Sequence, residues 1–169
     1  LFTWSALDGD KLTGVGTHLK YYVEFGGTYY DVTPLRSTTS AGDVTFAATN
    51  TSSVITVTDS SHGAAVGDFV TYSGASSLGG NVTATILNAE HQITEYVNAN
   101  SYKITVSVTA NSSDTGNGGS SVVGKYQIAV GPENYSLTSG WNTGKWSEGT
   151  WGNTGVAELA QQLRIWSHD

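Results

Sequence analysis

Four histidines are the residues of this chain best suited to metal or acid–base chemistry. His18, His62, His91 and His168 form neither an HxH nor an HExxH pattern, the spacings that bring two imidazoles to one metal ion. The segment DGDKLTG (Asp8–Gly14) begins like a calcium-binding loop, but it lacks the central glycine and terminal glutamate that complete one. We therefore predict a turn at this segment, structural roles for the histidines, and neither a metal site nor a cofactor.

Patterns typical of nucleophilic and cofactor-dependent enzymes are also missing from the sequence. There is no GxSxG elbow for a serine nucleophile. The segment GVGTHL (Gly14–Leu19) lacks the third glycine of a dinucleotide-binding loop. A carboxylate pair for glycoside hydrolysis depends on a separation in space that sequence does not fix, but the acidic residues lie mainly at predicted turns. We therefore predict a protein that is not an enzyme, with a hydrolase as the weaker alternative.

Three of the five tryptophans lie in the segment GWNTGKWSEGTWGNTG, residues 140–155. Trp141, Trp146 and Trp151 are five residues apart, a spacing that sends successive side chains to opposite faces of a strand, and the glycines between them weaken a helix. The segment must therefore bend between the rings. The rings suit a structural plug or subunit contact, a carbohydrate-stacking surface, or loop packing. We favour the plug or subunit contact.

The composition argues against several classes of protein. Charged residues make up 12% of the 169 residues and the formal net charge is −7. This argues against specific nucleic-acid binding, because such proteins present a basic patch. No apolar run approaches the ~20 residues of a membrane-spanning helix, so we predict no membrane span. The chain has no Cys and no Met, and because Leu stands at position 1 we expect an excerpt of a longer chain or a processed product.

The clearest local prediction is a β-hairpin near the amino terminus. The segments LKYYVEF (Leu19–Phe25) and TYYDVT (Thr28–Thr33) flank Gly26-Gly27, a pair typical of a two-residue hairpin turn. The hairpin is rich in aromatic residues, which are enriched at interfaces between subunits. We therefore add its tyrosines to the predicted contact surface. The predicted binding or interface residues are Tyr21, Tyr29, Tyr30, Trp141, Trp146 and Trp151.

Further short β patterns follow along the chain, separated by turn-forming residues. They are VTFAAT, SVITVT, DFVTYS, VTATIL, HQITEYV and SYKITVSV between residues 44 and 108, and VVGKYQIAV at 122–130. Only VAELAQQL (156–163) spaces its apolar residues like a helix, and it is too short to predict one. The sequence therefore predicts an all-β fold with little or no helix.

The order of these segments predicts a nested organisation. Residues 1–36 and 122–169 form an outer β segment, a small antiparallel barrel or sandwich spans 42–110, and 111–121 (NSSDTGNGGSS) is a flexible linker.

The segment SSHGAAVGDFVTYSG (Ser60–Gly74) carries the most specific turn pattern. Its glycines at 63 and 67 tolerate a positive φ, and Asp68 can accept hydrogen bonds from turn amides. We expect Val66, Phe69 and Tyr72 to anchor this turn in the core. His62 is interpreted as a simple turn residue.

Several of these segments resemble one family of virion proteins. The segments LKYYVEF, YYDVTPLR, HGAAVGDFVTYSG and LRIWSHD are similar to the amino-terminal portion of tail tubular or nozzle-type proteins of marine tailed bacteriophages, especially short-tailed ones. The resemblance implies a structural protein of the virion tail that assembles into a homo-oligomeric ring, contacts other tail proteins and conducts DNA during ejection. It brings no catalytic residues. A receptor- or carbohydrate-binding module, using the three tryptophans on a host surface glycan, stays open as the alternative.

Overall fold

The computed structural model describes residues 1–128 and the backbone of two further strands, at 134–137 and 158–161. The chain divides into two compact units. The first contains Leu1–Val32 and Val130–Asp169, and the second contains Thr33–Ala129. In the described part of the chain every strand pair is antiparallel, and a four-residue stretch is the one α-helix. The predicted all-β class is confirmed.

The first unit contains a four-stranded meander. Its strands are β1 (Phe2–Ser5), β2 (Lys11–Gly16), β3 (Tyr21–Phe25) and β4 (Thr28–Asp31), in that spatial order. The predicted hairpin is β3–β4. Gly26 and Gly27 both have positive φ, 60° and 84°, as a type I′ turn requires. The first three residues of DGDKLTG lie in the turn that joins β1 to β2, and the last four belong to β2. The amide of Ala6 donates to the Asp10 carbonyl at 2.8 Å across this turn.

The second unit contains an eight-stranded antiparallel sheet. Its strands are β5 (Leu35–Thr38), β6 (Thr45–Ala48), β7 (Val54–Thr58), β8 (Phe69–Ser73), β9 (Glu90–Asn98), β10 (Ser101–Thr105), β11 (Asp114–Asn117) and β12 (Val123–Gln127). The spatial order is β11-β6-β7-β10-β9-β8-β12-β5. The long strand β9 pairs with β8 through its first residues and with β10 through the rest. It therefore joins two halves of the sheet, which we call the β7 half (β11-β6-β7-β10) and the β8 half (β8-β12-β5).

Alternate residues of these strands form the core. Strands β6, β7, β8 and β10 each bury every second side chain, the pattern of strands with one face turned inward. Phe46 of β6 meets Tyr72 of β8 edge to face, with ring centroids 4.9 Å apart, so the two halves pack against each other. The largest fully buried side chains are Tyr72, Tyr102, Tyr126, Phe46, Ile55, Leu87, Ile93 and Ile104.

The strand predicted at VTATIL is wrong, because residues Ala84–Leu87 form the helix α1. The amides of Ile86 and Leu87 donate to the Thr83 carbonyl. Val82 and Leu87 are both buried, 1% and 0% exposed. A single helical turn places these two side chains in the core, and this packing overrides the strand preference of the local sequence.

The division of the chain also differs from the predicted one. Strand β12 and the first two residues of β5 were expected in the outer segment, but the two strands pair with each other in the second unit, with Lys125 opposite Thr38. Residues 111–121, expected to be a linker, include β11, which pairs with β6. Gly118 follows β11 with φ at 108°, and a Cβ atom there would overlap the ring of Phe46. The glycines of this segment therefore allow close packing. From composition alone, the same glycines had indicated a flexible linker.

The last described strands form a separate pair. Strands β13 (Asn134–Leu137) and β14 (Glu158–Gln161) are antiparallel, with Asn134 opposite Gln161. Strand β14 lies within VAELAQQL, the segment with helical spacing. A few residues of helical pattern thus do not decide the structure when a strand partner is available.

Candidate functional site

The tyrosines predicted to form a contact surface lie in the β3–β4 hairpin. Tyr30 pairs with Val23, and Tyr29 pairs with Glu24. Because side chains alternate along a strand, Tyr30 shares a face with Tyr21, whereas Tyr29 lies on the opposite face. Tyr29 and Tyr30 are 65% and 52% exposed. The hairpin therefore presents one exposed tyrosine on each face.

Tyr21 has a different environment from the other two tyrosines. It is half-buried, and a Cβ atom on Gly14 would overlap its hydroxyl and approach Trp4. The glycine in β2 therefore makes room for the Tyr21 ring to lie across the strand. On the same face, the rings of Phe2 and Trp4 stack with centroids 5.9 Å apart. We call this side of the sheet, which also carries Phe25 and Tyr30, the aromatic face.

The predicted tryptophan site falls in a different part of the chain. Trp141, Trp146 and Trp151 lie outside the described residues, so their role in contacts stays a prediction. Within the described residues, no group of three or more His, Cys, Asp or Glu side chains is placed to hold a metal ion. No helix in that part of the chain is long and apolar enough to cross a membrane.

A chain of hydrogen-bonded hydroxyls crosses the core of the second unit. Tyr72 and Tyr102 hydroxyl oxygens are 2.5 Å apart, and Tyr102 and Tyr126 are 2.8 Å apart. Tyr126 donates to Oδ2 of Asp59 at 2.5 Å. Since the ionised carboxylate only accepts, the donors run in one direction from Tyr72 through Tyr102 and Tyr126 to Asp59. We call these four residues the tyrosine chain.

Burial changes the acidity of the tyrosine chain. It raises the pKa of Tyr102 from 10.0 to about 12. It also raises the pKa of Tyr72 and of Tyr126 well above the usual value, because a phenolate in the core would lose its hydration. At neutral pH all three hydroxyls are therefore protonated and available as donors.

His62 holds the turn that begins beside this chain. Its ring Nδ1 accepts from the amide of Ala64 at 3.0 Å, and its Nε2 lies 2.9 Å from the carbonyl of Asn98. One ring nitrogen accepts and the other donates, which assigns the neutral tautomer with the proton on Nε2. His62 is only 5% exposed, and its ring meets Tyr102 edge to face at 4.8 Å. The histidine thus anchors the turn to the tip of the β9–β10 hairpin.

The other predictions for this turn have mixed outcomes. Gly63 and Gly67 have positive φ, 59° and 95°, and Asp68 accepts from the amide of Ala65 at 3.0 Å, both as expected. Tyr72 is buried as predicted, but Val66 is 59% exposed. The anchoring role expected for Val66 is wrong, because the buried ring of His62 and not Val66 ties the turn to the core.

Arg36 closes the same end of the second unit. Its Nη1 donates to the carbonyl of His62 at 3.1 Å, and its guanidinium carbon lies 5.3 Å from the centroid of the Tyr126 ring. Within residues 1–128, no carboxylate forms an ion pair with Arg36. The Tyr96 ring has its centroid 5.8 Å from that of His62 and is 50% exposed. We call Arg36, His62 and Tyr96 the Arg36 end.

Comparison with known proteins gives little further information. No protein-family model and no curated protein matches the chain. Among solved structures, the phage phi92 endosialidase is similar at 15% identity with a TM-score of 0.44, over 70% of this chain and 18% of that protein. The chain thus matches only a small share of that protein's length, and a likeness this distant carries no argument about function.

Sequence reasoning missed the Arg36 end because its members are distant along the chain. Arg36 is the last residue of the outer segment predicted at 1–36, His62 lies in the predicted turn, and Tyr96 lies in the β pattern HQITEYV. The signal that was available is the scarcity of cations, with seven Lys and Arg in the whole chain. In a chain with so few cations, each arginine is a candidate for binding an anion.

Proposed function

We propose that this chain is a structural protein of a bacteriophage tail, of the tubular or nozzle type. It assembles through subunit contacts into a homo-oligomeric ring, contacts other tail proteins, and performs no catalysis. The proposal rests first on the resemblance of LKYYVEF, YYDVTPLR, HGAAVGDFVTYSG and LRIWSHD to such proteins. The acidic composition is compatible with a conduit that does not hold DNA tightly.

The exposed aromatic residues of the first unit are the observation that best supports a role in assembly. Phe25, Tyr29 and Tyr30 are 39%, 65% and 52% exposed in one four-stranded sheet. Among the strands that the structure describes, β4 pairs with β3 alone and ends the sheet. Edge strands of soluble proteins usually carry charges, proline or a bulge that prevent pairing with another chain. Strand β4 has one charged residue, Asp31, which pairs with Lys20, and two adjacent exposed tyrosines. Such an edge suits contact with a neighbouring subunit.

Light scattering of purified protein tests the proposal. We expect wild type to form an oligomer. The protein concentration at which the oligomer dissociates should be at least tenfold higher for Tyr30→Ser than for wild type, because aromatic side chains buried in an interface contribute ~2 kcal/mol each. Trp146→Ala should weaken assembly in the same direction. Tyr96→Ser is the matched control, because Tyr96 is 50% exposed but belongs to the second unit.

Two results would contradict the proposal. One is a monomer at all concentrations for wild type. The other is unchanged assembly in both Tyr30→Ser and Trp146→Ala when circular dichroism shows that both variants are folded.

A further inference from the structure

We propose that the Arg36 end of the second unit binds an acidic saccharide, with the Arg36 guanidinium on the sugar carboxylate and the Tyr96 ring against a sugar face. This site is independent of the assembly role proposed above. It lies in the second unit, whereas the aromatic face and strand β4 lie in the first.

Arg36 has the features of an anion-binding group that is held in position before the ligand arrives. One N–H is fixed by the His62 carbonyl at 3.1 Å, and the guanidinium lies over the Tyr126 ring. A guanidinium has five N–H donors arranged as a planar fork, so four remain for a ligand. A carboxylate accepts two parallel hydrogen bonds from such a fork. The arginine is also exposed to solvent.

The carboxylate nearest in the network does not neutralise Arg36. Asp59 is 5% exposed and accepts from the hydroxyl of Tyr126, and in the described residues it forms no ion pair with Arg36. Titratable groups at this end also include His62, whose Nδ1 accepts from the amide of Ala64, and Tyr102 and Tyr126, whose hydroxyls are hydrogen-bonded to each other. The guanidinium therefore keeps its positive charge toward solvent.

Tyr96 adds the second half of the site. Its Cα partner across the ladder is the core residue Tyr102, yet half of Tyr96 is exposed. The ring is therefore partly open to solvent, and its centroid lies 5.8 Å from that of His62, whose carbonyl accepts from Arg36. A flat aromatic ring suits the apolar face of a sugar, and the combination of ring and guanidinium selects a sugar that carries a carboxylate.

The net charge of the chain further restricts the class of ligand that this site can bind. A formal charge of −7 repels a polyanion such as nucleic acid. A ligand with one carboxylate and an apolar ring face loses little from this repulsion and gains both contacts. Free phosphate can use the same guanidinium but has no face for Tyr96.

Amide NMR of the whole chain tests the site with glucuronate, glucose and inorganic phosphate as probes. We expect glucuronate to shift the signals of Gly63 and Ala64 in a saturable way, at concentrations at least tenfold below those of glucose or phosphate. Arg36→Gln should abolish the response, and Arg36→Lys should weaken it at least tenfold, because an ammonium keeps the charge but not the fork. Tyr96→Ala should weaken it while retaining a response.

Lys125→Gln is the matched control, since it removes an exposed cation from the adjacent strand β12 and should leave the glucuronate response unchanged. Near-ultraviolet circular dichroism of the tyrosines checks that each variant is folded. The proposal is overturned if wild type gives no saturable shift, if glucose or phosphate matches glucuronate, or if Arg36→Gln or Tyr96→Ala responds like wild type. Because Tyr30→Ser tests assembly separately, failure of one proposal is distinguishable from failure of the other.

Discussion

The sharpest energetic prediction concerns the end of the tyrosine chain at Asp59. Tyr126→Phe removes the hydroxyl that donates to the Asp59 carboxylate at 2.5 Å. It leaves a carboxylate that is 5% exposed without this donor and also removes the acceptor of Tyr102. Hydrogen bonds to charged groups contribute ~1.5–3 kcal/mol, and a buried group left unsatisfied adds to the loss. We expect the free energy of unfolding to fall by about 3 kcal/mol.

Tyr72→Phe is the internal comparison, because it acts at the opposite end of the same chain. Tyr72 donates to Tyr102, which still donates to Tyr126 after the substitution. The variant therefore loses one bond between neutral groups and leaves no charge unsatisfied, so the loss should be about 1 kcal/mol. The difference between the two losses in the free energy of unfolding measures how much more the hydroxyl bound to the Asp59 carboxylate contributes than the hydroxyl at the other end of the tyrosine chain.

The assay must report on the second unit. All five tryptophans lie outside residues 33–129, so tryptophan fluorescence does not observe this unit directly. Urea unfolding should instead be followed by near-ultraviolet circular dichroism of the tyrosines or by hydrogen exchange of amides in β7 and β10. Equal losses for Tyr126→Phe and Tyr72→Phe would refute the reasoning. In a protein that already carries Asp59→Asn, Tyr126→Phe should lower the free energy of unfolding by only about 1 kcal/mol, because no buried charge remains.

Two pH dependences follow from the buried groups. Folding raises the pKa of Tyr102 from 10.0 to about 12. The contribution of this group to the free energy of unfolding is therefore fully present below pH 10, and about 3 kcal/mol of it should be lost as the pH rises to 12. Urea midpoints measured over that pH range test this, and a flat profile would contradict it. Burial lowers the pKa of His91 below 6.5, and its hydrogen bond to Ile86 only partly opposes this. The unfolded chain then binds the proton more readily, so stability should fall as pH drops below 6.5 and level off once folded His91 is protonated. His91→Gln should flatten this acid slope, and an unchanged slope would count against the assignment.

The strands were predictable where side-chain alternation and turn chemistry agreed. The β3–β4 hairpin follows from Gly26-Gly27 alone, because two consecutive positive φ values suit few other residue pairs. Residues 82–87 were mispredicted, because local β preference is weaker than the burial of Val82 and Leu87 that a helical turn allows. Strand β11 was missed because its sequence, DTGN, has no apolar alternation and lies in a segment rich in glycine and serine, and its partner β6 is far away along the chain.

The candidate site was less predictable than the fold. The pattern around His62 correctly indicated a turn, but nothing local shows that both ring nitrogens are bonded or that Asn98 supplies one partner. Within the described residues, the contacts that connect Arg36 and Tyr96 are those that each makes with His62. Such a constellation depends on strand order and register, which a single sequence specifies only through the complete fold.

The tyrosine chain also offers a physical reason why the two halves of the second unit adopt one register. Tyr102 lies on β10 of the β7 half, whereas Tyr72 and Tyr126 lie on β8 and β12 of the β8 half, so each hydroxyl bond of Tyr102 crosses the core. A slip of one residue on any of these strands would turn a tyrosine outward and leave Asp59 or a hydroxyl without its partner. An apolar core would tolerate that slip at lower cost, since packing is less directional than hydrogen bonding. The network that fixes the register therefore also fixes the Tyr126 ring beneath Arg36, and the proposed saccharide site depends on the same bonds.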